Sequence, residues 1–239
     1  MKNKDKWQPS HYEKDARGRL KGTHMHKIIG HAYEKVITRH ANGQLADVGC
    51  GKVPYYSIYK DLVKDNICID WGWDEGEELT HLDHLVDLNH GRIPLDDNSM
   101  DTVLCTDVLE HISNPEGLFS EMVRILKVNG KLIVTVPFMY WIHSAPHDHH
   151  RYTRHKLEDF CKKNKLNVVQ LEEYGGMPEI LYDIVWKGFY YYNFPMKRFL
   201  LASWKALGMG IYKRKIVRKI SDRTKEAFPL GYILVAQKV

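Results

Sequence analysis

"MDTVLCTDVLEHISNPEGLFSEMVRILKVNGKLIVTVP", residues 100–137, decides the fold. Met100 to Thr106 is an apolar, partly β-branched run of strand length. Asn114-Pro115 then opens a helix, with Pro115 in the first turn, where its missing N–H costs nothing. Leu118, Met122, Ile125 and Leu126 give that helix a buried stripe, and Asn129-Gly130 is expected to end it. Lys131 to Val136 is a second strand, closed by Pro137. A strand, a helix and a strand in succession make a crossover unit between parallel neighbours.

The same rhythm extends to both sides. Upstream, a helix is expected from Thr23 to His40, stopped by Asn42-Gly43. A strand follows over Gln44–Val48, then a helix over Tyr55–Val63 and strands over Ile67–Asp70 and 84–88. Downstream, Thr153 caps a helix reaching about Asn164, and strands follow at Leu166–Leu171 and 230–237. This alternation predicts an α/β, Rossmann-like, mostly parallel seven-stranded sheet with helices on both faces and an antiparallel last strand. Residues 1–22 read as an N-terminal arm, and 23–239 as one domain with a helical insertion over 177–225. There is no internal repeat and no low-complexity tract.

Of the 239 residues, 44% are hydrophobic and 27% charged, which suits a globular domain rather than a disordered chain. The first 27 residues are polar and carry no signal-peptide pattern. Four cysteines with no CxxC pair point to a reducing, cytoplasmic compartment. The net charge of +5 is uneven: residues 41–185 carry 13 Lys/Arg against 24 Asp/Glu, and residues 186–225 carry 11 against 1. Residues 186–220 are also rich in Trp, Tyr and Phe. Interspersed lysines exclude a spanning helix there. A lid packed on the domain is the favoured reading, and peripheral contact with the inner membrane face is the second. Tyrosine-rich stretches also line dimer interfaces.

Ligands of such sheets bind beyond the C-terminal ends of the strands. The turn "LADVGCGKVPYY", residues 45–56, stands there. It lacks the Gly-Lys-Ser/Thr of a phosphate loop, and Pro54 breaks the G-x-G-x-x-G dinucleotide pattern. Asp47 beside the turn suits a ligand with a cationic amino-acid end better than a pyrophosphate. Asp70 ends the second strand, where a carboxylate accepts from ribose hydroxyls. Asp87 ends the apparent third strand. Three acids at three strand ends fit a nucleoside with little or no phosphate, such as S-adenosylmethionine.

"LADVGCG", "ICIDWG", the long stretch from Leu85 to Pro137 and "HRYTRHKLEDFC" together resemble the class I S-adenosylmethionine-dependent methyltransferases, in particular the methyltransferase type 11 group. The resemblance covers about residues 24–172 and the last strand. It implies that Asp47, Gly49 and Gly51 hold the methionine moiety. It places Asp70 on the ribose, Trp71 against the adenine, and Asp87 and Leu88 at the adenine edge. Thr106 and Asp107 fall near the sulfonium and the substrate. Family members usually carry a further glycine near position 53, where this chain has Val53-Pro54.

Methyl transfer to a hydroxyl needs a group that takes a proton, and histidine suits that task. His147 and His143, in the loop after the fifth strand, are the first candidates, and His111 in "DVLEHI" is the third. Arg151 and Tyr152 bind an anionic or sugar group, or anchor the following helix. The run His147-Asp148-His149-His150 is compositional rather than geometric, so no bound metal is expected from it. The resemblance implies O-methyl transfer to a small-molecule, sugar or lipid-linked acceptor. A quinone or other aromatic hydroxyl is the alternative, and a non-catalytic nucleoside-binding scaffold is the non-enzyme reading. Nucleic acid is a weaker partner, because no Asn-Pro-Pro-Tyr-type motif follows the fourth strand.

Overall fold

The computed structural model describes residues 24–74, 77–191, 195–211 and 214–239. The arm expected over 1–22 lies outside the described residues, as do Tyr192, Phe194 and Tyr212 of the aromatic stretch. Seven strands form the main sheet: β1 (Gly43–Val48), β2 (Val63–Asp70), β3 (His84–Leu85), β4 (Met100–Thr106), β5 (Leu126–Pro137), β6 (Leu166–Tyr174) and β7 (Gly231–Lys238). Their order is β3-β2-β1-β4-β5-β7-β6. The first five are parallel, and β7 runs antiparallel between β5 and β6. The expected sheet, with its antiparallel last strand, is the one observed. Strand order reverses between β1 and β4, which opens a crevice beyond their C-terminal ends.

Seven helices complete the described chain: α1 (His24–His40), α2 (Tyr56–Tyr59), α3 (Pro115–Ile125), α4 (Arg154–Lys163), α5 (Met177–Tyr191), α6 (Lys197–Ile211) and α7 (Lys215–Thr224). Side chains alternate across the central strands and build two cores. Val103, Cys105, Leu132 and Val134 face Phe119 and Met122 of α3 and Phe160 of α4. Leu104, Ile133, Ile233 and Val235 face Tyr33, Val36 and Ile37 of α1. Both faces are therefore covered, which is why β4 and β5 read as nearly continuous apolar runs.

Three sequence expectations are corrected. Helix α3 stops at Ile125 rather than at Asn129-Gly130, because Leu126 is already extended and pairs with Met100. Asn129, with φ 66°, sits in an irregularity of β5, where pairing passes from Met100↔Leu126 to Thr102↔Lys131. Its turn signal is genuine, but it serves a bulge instead of a cap. The helix expected over Tyr55–Val63 is a single turn, since Val63 already belongs to β2. The strand expected over 84–88 is only His84–Leu85, so Asp87 stands past its end. Thr153, by contrast, caps α4 as expected, its hydroxyl accepting from Lys156 N.

Helices α5 to α7 fill the stretch between β6 and β7. Tyr182 stacks on Trp204 at 5.7 Å, and Trp204 Nε1 donates to the Tyr182 carbonyl. Helix α7 has no buried residue. All four cysteines are buried and free. Among the described residues no helix is long and apolar enough to cross a membrane.

The α3–α4 face depends on Phe119, fully buried and stacked on Phe160 at 4.9 Å. Phe119→Ala is expected to lower unfolding free energy by about 3–5 kcal/mol, read by urea denaturation. Ile184→Ala, on the exposed face of α5, should change it by less than about 0.5 kcal/mol.

Candidate active site

A cavity of about 910 Å³ opens at the C-terminal ends of β1, β2 and β4. Its first wall is the turn after β1. Gly49 and Gly51 take φ of 72° and 48°, the left-handed region that glycine enters freely. A Cβ on Gly49 would meet Val108 Cγ2 at 2.4 Å, so no side chain fits there. Val53 is also left-handed, with φ 52°, and fully buried. That conformation costs a β-branched residue about 1–2 kcal/mol. Burial of the side chain, worth about 1.5–3 kcal/mol, offsets it. The chain thus keeps, without glycine, the backbone geometry that glycine would give.

Asp70, at the end of β2, is almost fully buried. Gly51 N donates to its Oδ2 at 2.8 Å and Trp71 N to its Oδ1 at 2.7 Å. An ionised carboxylate offers about four acceptor positions in all. Trp71 stands beside it, half exposed, with its ring against that of His147 at 5.6 Å. Asp87 and Leu88 line the adjoining wall, Asp87 exposed and Leu88 buried.

The end of β4 supplies Thr106 and Asp107. Tyr33 of α1 donates to Asp107 Oδ1 at 2.6 Å, and Thr135 Oγ1 donates to the same atom at 3.2 Å. Burial pushes the Asp107 carboxyl up to about 6, against the pull of these two donors. Next along the chain, Glu110 is fully buried with both carboxyl oxygens lacking a hydrogen-bond partner. Burial holds its carboxyl well above the usual range, and the charge of Asp107 adds to this.

The loop from Phe138 to Tyr152 closes the opposite side. Its own polar groups fix it. The Glu110 carbonyl accepts from His149 N and His150 N, and Tyr152 OH donates to the Leu109 carbonyl. Arg151 donates to Asp148 and to the carbonyls of Trp141 and His150. Burial disfavours the Asp148 charge, but Arg151 and the His143 N–H hold its carboxyl well below the usual range. Burial lowers the pKa of both His111 and His143 and so favours the neutral imidazole. From outside, Lys187 of α5 lies over the Tyr140 ring at 3.4 Å.

Residues 46–134 match a family described as a methyltransferase domain. Over 135 residues the chain is 30% identical to an uncharacterized protein of Methanocaldococcus jannaschii, covering 55% of this chain and 58% of that one. Over 115 residues it is 26% identical to a Mycolicibacterium smegmatis protein named a probable S-adenosylmethionine-dependent methyltransferase, covering 47% and 44%. The chain thus spans about half the length of these curated relatives. The fold is similar to that of a solved S-adenosylmethionine-dependent methyltransferase of Archaeoglobus fulgidus. The TM-score is 0.56 at 14% identity, over 87% of this chain and 94% of that one.

Residues 46–134 thus match the methyltransferase-domain family, and the fold is similar to that of S-adenosylmethionine-dependent methyltransferases.

The cavity gathers Gly49, Gly51, Asp70, Trp71, Asp87 and Leu88 on one side. Thr106, Asp107, His111, His143 and His147 line the other. The wall fits the cofactor: a bare glycine backbone, a buried carboxylate at the strand end, and a flat indole beside it. Asp47 is the exception. It does not line the cavity but lies behind the turn, buried, accepting from Tyr59 OH at 2.9 Å. Arg151 and Tyr152 anchor the loop and helix α4 rather than facing the cavity. Asp148, His149 and His150 are absent from its lining, and so is every described residue of α5–α7. Two contributions escaped sequence reasoning. Tyr33, His26 and Ile29 of α1 reach the site, and their helical spacing signals only a packed face. Tyr174 and Leu230 close the floor from the far end of the chain.

Burial raises the Asp47 carboxyl to about 7, opposed by Tyr59 and reinforced by the Asp70 charge. The native pKa therefore exceeds the unfolded value near 3.9. Stability linked to this group is fully present below pH ~4 and is lost as pH rises through about 7. Urea denaturation from pH 4 to 8 should show a flatter stability profile for Asp47→Asn than for the wild type.

Proposed function

We propose that the protein transfers a methyl group from S-adenosylmethionine to an oxygen of a small-molecule, sugar or lipid-linked acceptor. The carrying observation is that one cavity joins a nucleoside-type wall at the ends of β1 and β2 to a histidine-lined wall at the end of β4 and the following loop. The cofactor, when bound, supplies a methyl group already activated by its sulfonium. Everything else falls to the chain. Asp70 accepts the ribose hydroxyls, and Asp87 and Leu88 meet the adenine edge. The backbone of Gly49 and Gly51 receives the methionine moiety. The loop from Phe138 to Tyr152 orients the acceptor and excludes water. His147 or His143 takes the proton of the acceptor hydroxyl at a ring nitrogen. Asp47 acts from behind, by its grip on Tyr59.

Calorimetry with S-adenosylmethionine and S-adenosylhomocysteine tests this reading. The wild type should bind both. Asp70→Ala and Asp87→Ala should each weaken binding by about tenfold or more, as expected for a lost hydrogen bond to a charged group. Asp87 carries the cleaner test, because among the described residues its carboxylate accepts from Asn89 N alone. Absence of binding to the wild type would remove the methyl-transfer reading.

The lipid-linked form of the acceptor has its own support. Leu181, Ile184, Phe199, Leu207, Ile216 and Ile220 are exposed on α5–α7, interleaved with basic side chains, a composition that suits an anionic membrane surface. Co-sedimentation with vesicles of phosphatidylglycerol should retain the protein at low salt, and Ile216→Asp with Ile220→Asp should release it. Equal recovery with and without vesicles would leave only the water-soluble acceptors.

A further inference from the structure

We propose that Glu110, His111 and His143 form a site for one divalent first-row transition-metal ion, open toward the cavity. The three side chains present one ligand atom each, all within 4.8 Å of one another. Nε2 of His111 and Nε2 of His143 each lie 3.8 Å from the same Glu110 oxygen, Oε1. That distance is too long for a hydrogen bond. It is the separation two ligands take on one ion: bonds of about 2.1 Å place them roughly 3.0–4.2 Å apart. Glu110 is fully buried, and neither of its oxygens has a hydrogen-bond partner. A carboxyl group in that state has a large unmet demand for a donor or a cation.

The outer contacts of both histidines match those of metal ligands. His111 Nδ1 is 3.0 Å from the His147 carbonyl, an acceptor only. That bond puts the proton on Nδ1 and leaves a lone pair on Nε2. His143 Nδ1 is 3.4 Å from the Trp141 carbonyl and 3.3 Å from Asp148 Oδ2, both acceptors only, which fixes the same tautomer. Asp148 is itself held by Arg151. Metal-bound histidines characteristically donate their second ring nitrogen to a carbonyl or carboxylate in this way. Two imidazoles and one carboxylate favour zinc, iron or cobalt over magnesium, which prefers oxygen ligands alone. Three protein ligands leave coordination positions free, and all three residues line the cavity. The role of those positions, holding an oxygen of the methyl acceptor, rests on the methyl-transfer reading, and with His143 on the metal it leaves His147 as the group that takes the proton. The metal site itself does not.

The test uses untagged full-length protein, stripped with a chelator and titrated with Co²⁺, whose visible absorption reports coordination. The expected result is one Co²⁺ per chain, displaced by Zn²⁺ and unaffected by a large excess of Mg²⁺. His111→Ala, His143→Ala and Glu110→Gln should each weaken binding by about a hundredfold or more, and Asp148→Asn by about 10–100-fold. His149→Ala and the exposed His155→Ala should leave it unchanged. Glu110→Gln preserves shape in the core, and His143→Ala lies on a loop, so the folded state is accessible in at least one variant. Failure of the wild type to bind Co²⁺, or binding that survives both His143→Ala and Glu110→Gln, would overturn the site. S-adenosylmethionine calorimetry on the same stripped protein separates the two ideas. Cofactor binding without Co²⁺ binding removes the metal site alone, and Co²⁺ binding without cofactor binding removes only the acceptor role.

Discussion

Two backbone N–H groups, those of Gly51 and Trp71, converge on the single carboxylate of Asp70. Hydrogen bonds to a charged acceptor are worth about 1.5–3 kcal/mol each, and these two join the turn after β1 to the end of β2. From the other side, His81 Nε2 meets the Gly51 carbonyl at 2.8 Å. The left-handed conformations of Gly49, Gly51 and Val53 are held by this clamp and by the packing of Val53. The wall that faces a nucleoside is therefore set before any ligand arrives. The same carboxylate that would read the ribose also shapes the turn, so the two roles cannot be separated by substitution at Asp70 alone.

The opposite wall is organised around the short segment after β4. The carbonyls of Leu109 and Glu110 accept from Tyr152 OH and from the N–H groups of His149 and His150. Arg151 and Asp148 brace the interior of the loop, and Lys187 and Tyr191 of α5 pack against Tyr140 and Trp141 from outside. A loop with this many fixed points carries its histidines almost as a strand would. Helix α5 supports that loop from behind through Lys187 and Tyr191, and no described residue of α5–α7 lines the cavity.

Much of this was legible in the sequence, and the reasons differ by element. The strands β1, β4, β5 and β7 read clearly because each is buried on both faces. The cap at Thr153 and the start of α3 at Asn114-Pro115 are local chemistry that tertiary packing left intact. Asn129-Gly130 misled because a left-handed residue serves a helix cap and a bulge equally well, and only the partner strand decides between them. The family resemblance named the cavity residues, apart from Asp47, which packing set one layer back. Tyr33 and Tyr174 were not legible as site residues: they meet across 141 positions of sequence, a proximity that no local pattern encodes. The orphaned carboxyl of Glu110 was equally hidden, because a Glu-His pair looks the same whether or not a third ligand faces it.

The position of β7 has a kinetic consequence. It is the last of the seven strands in the chain, yet it lies between β5 and β6 and pairs with both. Until residues 231–238 are in place, β6 has no partner in the sheet and β5 presents a bare, apolar edge. Closing that gap joins segments about a hundred residues apart, an ordering cost incurred before any of the pairing is gained. An open edge of this kind is the ordinary starting point of strand addition between molecules. Competition between the chain's own seventh strand and a neighbouring chain is therefore built into the topology. It would show as a concentration-dependent refolding yield, and an excess of early, partly built sheets would favour association over completion.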